Sequence, residues 1–339
     1  MRIGSWGGSI ALALLMGIHP SVVDSQVNGG PPRSTTEESR RALEGFGRLL
    51  YVERNVAAMA RYFDAHLIQH DAEIGDGGHG DDTFLEKRRQ LHPEQFLPPE
   101  QYHTVVDNLM ADGDLIAVKS HVYTNSKDPG RVFVDIWRVA GGKFVEHWDV
   151  VQPVPSTSRN QATMWCGGAS NYEDAGKVGD VVGHPGCGRS GSAEHREAAL
   201  RTVKAYTAMY ERLGRAAEAV RTFVADDFVE HNPGIPAGKE ALVKYVTERE
   251  RARATEGRKS ETARTIADGD LVLTHRRVTT KTDPRGVAHA DLYRVRDGSI
   301  VEHWDVIQPI PSFSVSGHSM VDGPLEYGRT VGGPPETAK

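Results

Sequence analysis

Residues Asp135–Pro155 and Asp291–Pro311 are two versions of one sequence, and this duplication constrains the fold more than any other feature of the chain. The first reads D-I-W-R-V-A-G-G-K-F-V-E-H-W-D-V-V-Q-P-V-P and the second D-L-Y-R-V-R-D-G-S-I-V-E-H-W-D-V-I-Q-P-I-P, identical at 13 of 21 positions at an offset of 156 (291 − 135). Upstream, Asp112-Gly113-Asp114-Leu115 recurs as Asp268-Gly269-Asp270-Leu271 at the same offset. Leu67-Ile68-Gln69-His70 aligns with Phe228-Val229-Glu230-His231 at 161 (228 − 67), so the first copy carries about five extra residues between these blocks. A period this long signals tandem domains and is far beyond solenoid repeats. The 339 residues agree, at roughly 100–200 residues per domain. We read domains over 37–155 and 194–311, a Gly-rich linker over 156–193 and a flexible tail over 312–339.

Within each copy the period of the apolar residues changes from helical to strand-like. In the second, Ala198, Leu200, Val203, Tyr206, Met209, Tyr210 and Leu213 predict a helix that Gly214 stops, and a short helix follows through Phe223. After a strand at Phe228–His231, Gly238 leads into a third helix near Glu240–Arg251. Three strands over Leu271–Thr280, Val287–Arg296 and Ser299–Gln308 are separated by turn sequences at hairpin spacing. Helices first and an antiparallel meander last predict an α+β fold, with three helices packed on one face of a curved antiparallel sheet.

Apolar residues at 38% and charged residues at 25% exclude wholesale disorder. The net charge of −6, with scattered basic residues, excludes a cationic stripe, so nucleic acid is not an expected partner. Residues 1–25 combine Arg2 with an apolar run from Ile10 to Ile18 that is too short to span a bilayer. This predicts a signal peptide cleaved after Val23-Asp24-Ser25, hence a secreted or periplasmic protein, with a cytosolic extension as the alternative. Cys166 and Cys187 both fall in the linker, where a disulfide would restrain the joint between copies and leave their cores untouched.

The order of these blocks, with Q-H-D or E-H-N-P, then D-G-D-L, then R-V-x-x-G-x-x-V-E-H-W-D-V-x-Q-P-x-P, resembles the SnoaL-like branch of the nuclear transport factor 2-like superfamily. The subgroup it most resembles is the one described as predicted SnoaL-like aldol-condensation enzymes. The resemblance covers about 37–155 and 194–311. It implies two cone-shaped α+β barrel domains, each enclosing an apolar pocket for a small apolar or polyketide-like molecule. It also implies dimerisation through the sheets, which the two copies could satisfy within one chain as an intramolecular pseudo-dimer. The family's best-known activity, aldol cyclisation of polyketides, is acid/base chemistry without metal or organic cofactor. In those cyclases the catalytic Asp lies four residues after the position matching Trp148. This chain has Gln152 there and Gln308 in the second copy, and a Gln does not usefully exchange a proton near pH 7.

Alternate residues of a strand share a face, so His147 points with Asp149 and His303 with Asp305. A carboxylate beside an imidazole orients the ring and raises its pKa, which suits general acid/base work. With Asp135 and Asp291 on the neighbouring strand as bases, these six residues are the catalytic candidates. Ligand contacts are expected from His70, His231, Trp148, Trp304, Gln152, Gln308, His275 and His289. Lys119 stands at the position of His275, and His121 at that of Arg277, so the two pockets differ chemically. A structural reading competes with the catalytic one: Trp filling the core, and Glu, His and Asp tying sheets or copies together. Under it, the fold would serve as a binding module without turnover.

Other motifs lack their context. Gly75–Gly80 spells G-x-G-x-x-G outside any βαβ unit, and Gly77–Leu85 offers a single calcium nonapeptide that cannot stack. His66 and His70 lack the adjacent Glu of a zinc-hydrolase helix, and no G-x-S-x-G occurs.

Overall fold

The structure is a computed structural model, and it describes residues 33–49, 60–77, 103–124, 128–160, 162–165 and 193–321, with isolated positions between 89 and 101. The expected signal peptide, both cysteines and Leu325–Lys339 lie outside the described residues. The first copy runs α1 (Thr36–Gly47), β1 (Phe63–Gln69), β2 (His103–Asp112), β3 (Leu115–Tyr123), β4 (Arg131–Ala140) and β5 (Lys143–Pro153). The second runs α2 (Arg196–Tyr210), α3 (Ala216–Phe223), β6 (Val224–Glu230), α4 (Lys239–Glu256), β7 (Lys259–Asp268), β8 (Leu271–Thr279), β9 (Val287–Arg296) and β10 (Ser299–Pro309).

Each copy forms a five-stranded sheet, in the orders β1-β5-β4-β3-β2 and β6-β10-β9-β8-β7. Four strands form an antiparallel meander, one more than the three expected. The remaining edge strand differs: β1 pairs parallel with β5, and β6 with β10. In the second copy the chain leaves β6 through α4 and re-enters the sheet at the far edge, so β6 and β10 point the same way. β2 and β7 are strands that apolar alternation does not announce, because both are edge strands and β7 carries Lys259, Glu261, Thr262 and Arg264 along its length. Local chemistry sets the joints. Asp297 (φ 50°) and Gly298 (φ 76°) both take positive φ between β9 and β10, the conformation of the tight hairpin turn that Asp-Gly favours. At the β8–β9 turn Gly286 has φ 76°, and a Cβ there would lie 2.0 Å from the Val278 carbonyl oxygen.

Both faces of each sheet are buried. On one face α2, α3 and α4 bury Val203, Tyr206, Val220 and Val246 against Val272, Tyr293 and Ile300. On the other, the two sheets meet in a shared core that includes Trp148, Ile136 and Val150 from the first copy and Trp304, Leu292 and Val306 from the second. Polar contacts across this junction occur in matched pairs. The Gln152 side-chain oxygen accepts from Ile307 N (2.7 Å), and that of Gln308 from Val151 N (2.8 Å). Arg40 pairs with Asp268 (2.8 Å), and Arg196 with Asp112 (2.7 Å).

The segments after the repeats depart from the expected linker and tail. His70 contacts the Ser319 carbonyl (2.5 Å), and His231 contacts the Thr163 carbonyl (2.6 Å), so each copy's C-terminal arm crosses to the other copy. Met164, Trp165, Met320 and Val321 are buried in the shared core. Linker character therefore begins no earlier than residue 166, and the arm after the second copy is packed as far as Val321.

Candidate active site in the second copy

α2, α4 and the inner face of the second sheet enclose a cavity of about 350 Å³. Alternation along β9 turns His289, Asp291 and Tyr293 toward it, and alternation along β10 does the same for His303 and Asp305. Asp291 and Asp305 are direct partners in the β9–β10 register. Apolar walls are supplied by Phe228, Ile235, Leu242, Val278, Val287 and Ile307.

The polar end is a connected network. Arg276 holds Asp291 through two hydrogen bonds, Nε to Oδ2 at 2.7 Å and Nη2 to Oδ1 at 3.0 Å. The imidazole of His303 lies between two carboxylates, with Nδ1 2.9 Å from Glu230 Oε1 and Nε2 3.5 Å from Asp291 Oδ1. Asn232 donates its side-chain N–H to Asp305 Oδ2 (2.7 Å), whereas Asp305 Oδ1 has no hydrogen-bond partner. Behind Arg276, Glu211 also accepts from Arg253 (2.9 Å) and pairs with Arg258.

Charge balance sets the protonation of this network. Burial opposes ionisation of Asp291, but Arg276 and His303 outweigh it and hold the carboxyl well below its ordinary range. Burial likewise opposes the imidazolium of His303, yet Glu230 and Asp291 hold its pKa well above the usual value. Two cations (Arg276, His303) then balance two anions (Asp291, Glu230). For Asp305 no cation remains: burial pushes its carboxyl up to about 7, Asp291 and Glu230 add to the rise, and His303 and Asn232 restrain it. His289 is driven down to about 3 by burial and by Arg276, which keeps its imidazole neutral.

The sequence candidates divide between the two sheet faces. Asp291, His303, Asp305 and His289 line the cavity. Trp148, Trp304, Gln152, Gln308, His70, His231 and His275 do not. These seven, expected to touch ligand, belong to the opposite face, because the strand alternation that sends His303 and Asp305 inward sends Trp304 and Gln308 toward the other copy. His70 stacks on Trp148 (4.8 Å between centroids) and His231 on Trp304 (4.7 Å), while buried His275 contacts Arg264 across the strand. The Gln in place of the family's Asp is thus a junction residue in both copies.

In the first copy Asp135 and Asp149 are likewise register partners, and His147 Nε2 lies 3.3 Å from Asp135. The surroundings differ: His147 Nδ1 meets the neutral Gln69 oxygen (2.8 Å) instead of a glutamate. At the offset of 156, Ser120 stands for Arg276 and Phe133 for His289. Among the described residues, the Arg276–Asp291–His303–Glu230 arrangement therefore has no counterpart of the same composition in the first copy.

Glu230, Asn232 and Arg276 line the cavity and hold its titratable groups without being among the sequence candidates. Each lies one residue from a candidate histidine: Glu230 and Asn232 flank His231, and Arg276 follows His275. Applying strand alternation to β6 and β8 would have separated them, since Phe228 and Glu230 share one face of β6.

Atoms of His289, Asp291 and Asp305 lie within 4.8 Å of one another, a spacing a metal ion could use. The guanidinium of Arg276 already occupies both oxygens of Asp291, so this group fits proton transfer better than metal ligation.

The family model described as SnoaL-like domain matches residues 40–147 and 203–303. No match is found among curated proteins. Among solved structures, a loop-truncation variant of IdmH is 25% identical, with 32% of this chain and 92% of that one covered and a TM-score of 0.27. A candidate polyketide cyclase from Bacillus cereus is 20% identical over 34% of this chain and 78% of that one, with a TM-score of 0.29. An M. tuberculosis LEH-like epoxide hydrolase is 24% identical over 33% and 84%, with a TM-score of 0.26. Each aligns with about a third of the chain, the length of one copy.

Proposed function

The chain belongs to the SnoaL-like domain family, in two tandem copies, and on that premise we propose that it is a cofactor-free acid/base enzyme acting on a small, largely apolar molecule in the second copy's cavity. The Asp305 carboxyl carries this reading. It is buried, anchored by Asn232 on one oxygen, open on the other, and poised to titrate at about 7. A group with its pKa near the working pH is the efficient choice for proton transfer. Asp305 delivers its proton to a substrate oxygen as a C–O bond there breaks or a neighbouring carbon gives up a proton to form the enol, and its carboxylate is reprotonated from water, or by the proton returned on ketonisation, to close the cycle. Asp291, clamped by Arg276, serves as a fixed anion that keeps His303 charged, in place of the base role its position alone suggests. Cyclase, isomerase, lyase and hydrolase reactions all use such a proton donor, and a polyketide-like ligand suits the apolar walls.

The test is a panel of ketones, β-keto esters and aliphatic epoxides incubated in D₂O and followed by NMR for deuterium incorporation or conversion. Turnover that Asp305→Asn lowers by at least about 100-fold supports the reading. Binding of panel members without any chemical change favours a binding module instead.

Two further parts of the proposal concern the whole chain. Residues 1–25 act as a cleaved export signal, so the native protein begins at Gln26; a native mass that retains Met1 or Arg2 overturns this. The two copies form the family's dimer within one chain, a reading supported by the matched contacts across the sheets. Light scattering should then give a single-chain mass.

A further inference from the structure

The arm that follows the first copy reaches the rim of the second copy's cavity. Arg159 and Asn160 together satisfy four consecutive backbone carbonyls of the loop Asn232–Ile235. Asn160 Nδ2 donates to the carbonyls of Asn232 (2.7 Å) and Ile235 (3.0 Å). The backbone N–H of Arg159 donates to Pro233 O (2.8 Å), and its guanidinium Nη1 to Gly234 O (3.2 Å). The Arg159 guanidinium also lies 5.7 Å from the centre of the Tyr245 ring. Asn232, Ile235 and Tyr245 all line the cavity, and Asn232 holds Asp305.

Asn160 is itself locked in this orientation. Its Oδ1 accepts from the Ser158 hydroxyl (2.7 Å) and from Ala162 N (3.0 Å), which leaves both amide hydrogens for the loop. Among the described residues the arm after the second copy makes a lighter clamp. At the offset of 156 Ser316 stands for Asn160, a hydroxyl with one hydrogen, and the first copy's loop receives the Val315 N–H at Ala72 O (2.9 Å) and a contact from His318 Nε2 to Asp76 Oδ2 (3.1 Å). The stronger clamp therefore sits on the copy that carries the charged network.

We propose that Asn160 is a positioning residue for the second copy's site: supplied by the first copy's arm, it fixes the Asn232 loop and through it the Asp305 carboxyl. The first copy is then a working part of the second copy's site, beyond covering its sheet. This rests on the reading of Asp305 as the proton-transfer group, and its test does not depend on turnover.

The experiment follows the side-chain carboxyl of Asp305 by ¹³C NMR across pH in the full chain with labelled aspartate, its signal assigned by its loss in Asp305→Asn. In Asn160→Ala, and in the similarly sized, uncharged Asn160→Leu that removes the donors, the Asp305 midpoint should rise by about half a unit or more, because the Asn232 hydrogen bond favours the anion. Ser316→Ala, on the other arm, should leave it unchanged. An unmoved midpoint in folded Asn160→Leu overturns the proposal, as does an equal rise in Ser316→Ala. Where Asn160→Ala fails to fold, Asn160→Leu and Asn160→Ser decide. Should Asp305→Asn leave panel turnover intact while these shifts occur, the catalytic reading falls and the positioning one stands.

Discussion

Asp291 and Asp305 face each other across the β9–β10 register, yet one is held as a fixed anion and the other keeps its proton up to about 7. The difference comes from partners. Arg276 grips both oxygens of Asp291, whereas Asp305 has one neutral amide and no cation of its own. Two like carboxyls at this separation do not ionise together cheaply, so environment assigns their roles.

The first prediction concerns pH and rate. With Asp305 as proton donor, turnover should hold below about 7 and fall above it, as the carboxyl ionises. Steady-state rates from pH 5 to 9 check this; a rate that instead rises through pH 7 would make Asp305 a base. Asp305→Asn should remove the titration along with the activity.

The same carboxyl makes stability depend on pH. Its folded pKa of about 7 lies above the ordinary value of about 4, so folding favours the neutral form. The cost is absent below the ordinary value, grows between the two, and is complete above pH 7. Asp305→Asn should therefore stabilise the protein by a few kcal/mol at pH 8 and hardly at all at pH 4.5, as measured by urea denaturation at both.

Removing Arg276 should be costly. Asp291 contributes stability above its ordinary pKa that is lost only as pH falls through its depressed value. Arg276→Met leaves that buried anion uncompensated, and a loss of about 3–5 kcal/mol is expected near pH 7, shrinking toward pH 4. A uniform loss at all pH values would point to packing instead of charge.

The junction glutamines separate the two faces. Gln308→Ala should cost about 1 kcal/mol by leaving the half-buried Val151 N–H without its partner, while turnover stays unchanged. A selective fall in turnover with intact stability would return Gln308 to the ligand site.

Trp304→Ala should cost about 3–5 kcal/mol, since the ring fills the shared core between the sheets and supports His231. His303→Ala and Trp304→Ala, adjacent in sequence, should thus separate in assay: the first lowers turnover, the second lowers the denaturation midpoint.

Much of this was legible because it is linear. The offset of 156 gives two copies, the change of period gives helices before strands, and alternation divides E-H-W-D into two faces. The offset also runs past Pro155 and Pro311, through Ser156/Ser312, Ser158/Ser314 and Met164/Met320, a signal that the arms belong to the repeat. Gly, Ser and Asn in these stretches resemble linker and mask that signal.

What the sequence determined by itself is therefore the set of elements, their order and which residues point together, since these follow from short-range periodicity and local turn chemistry. Which face of a sheet receives the helices and which receives the other copy depends on apolar surface contributed from far along the chain. The protonation of Asp305 was decided only in three dimensions. It depends on how many cations and anions the fold gathers around one buried carboxyl, and Glu230, Arg276, Asp291 and His303 come together there from four different strands.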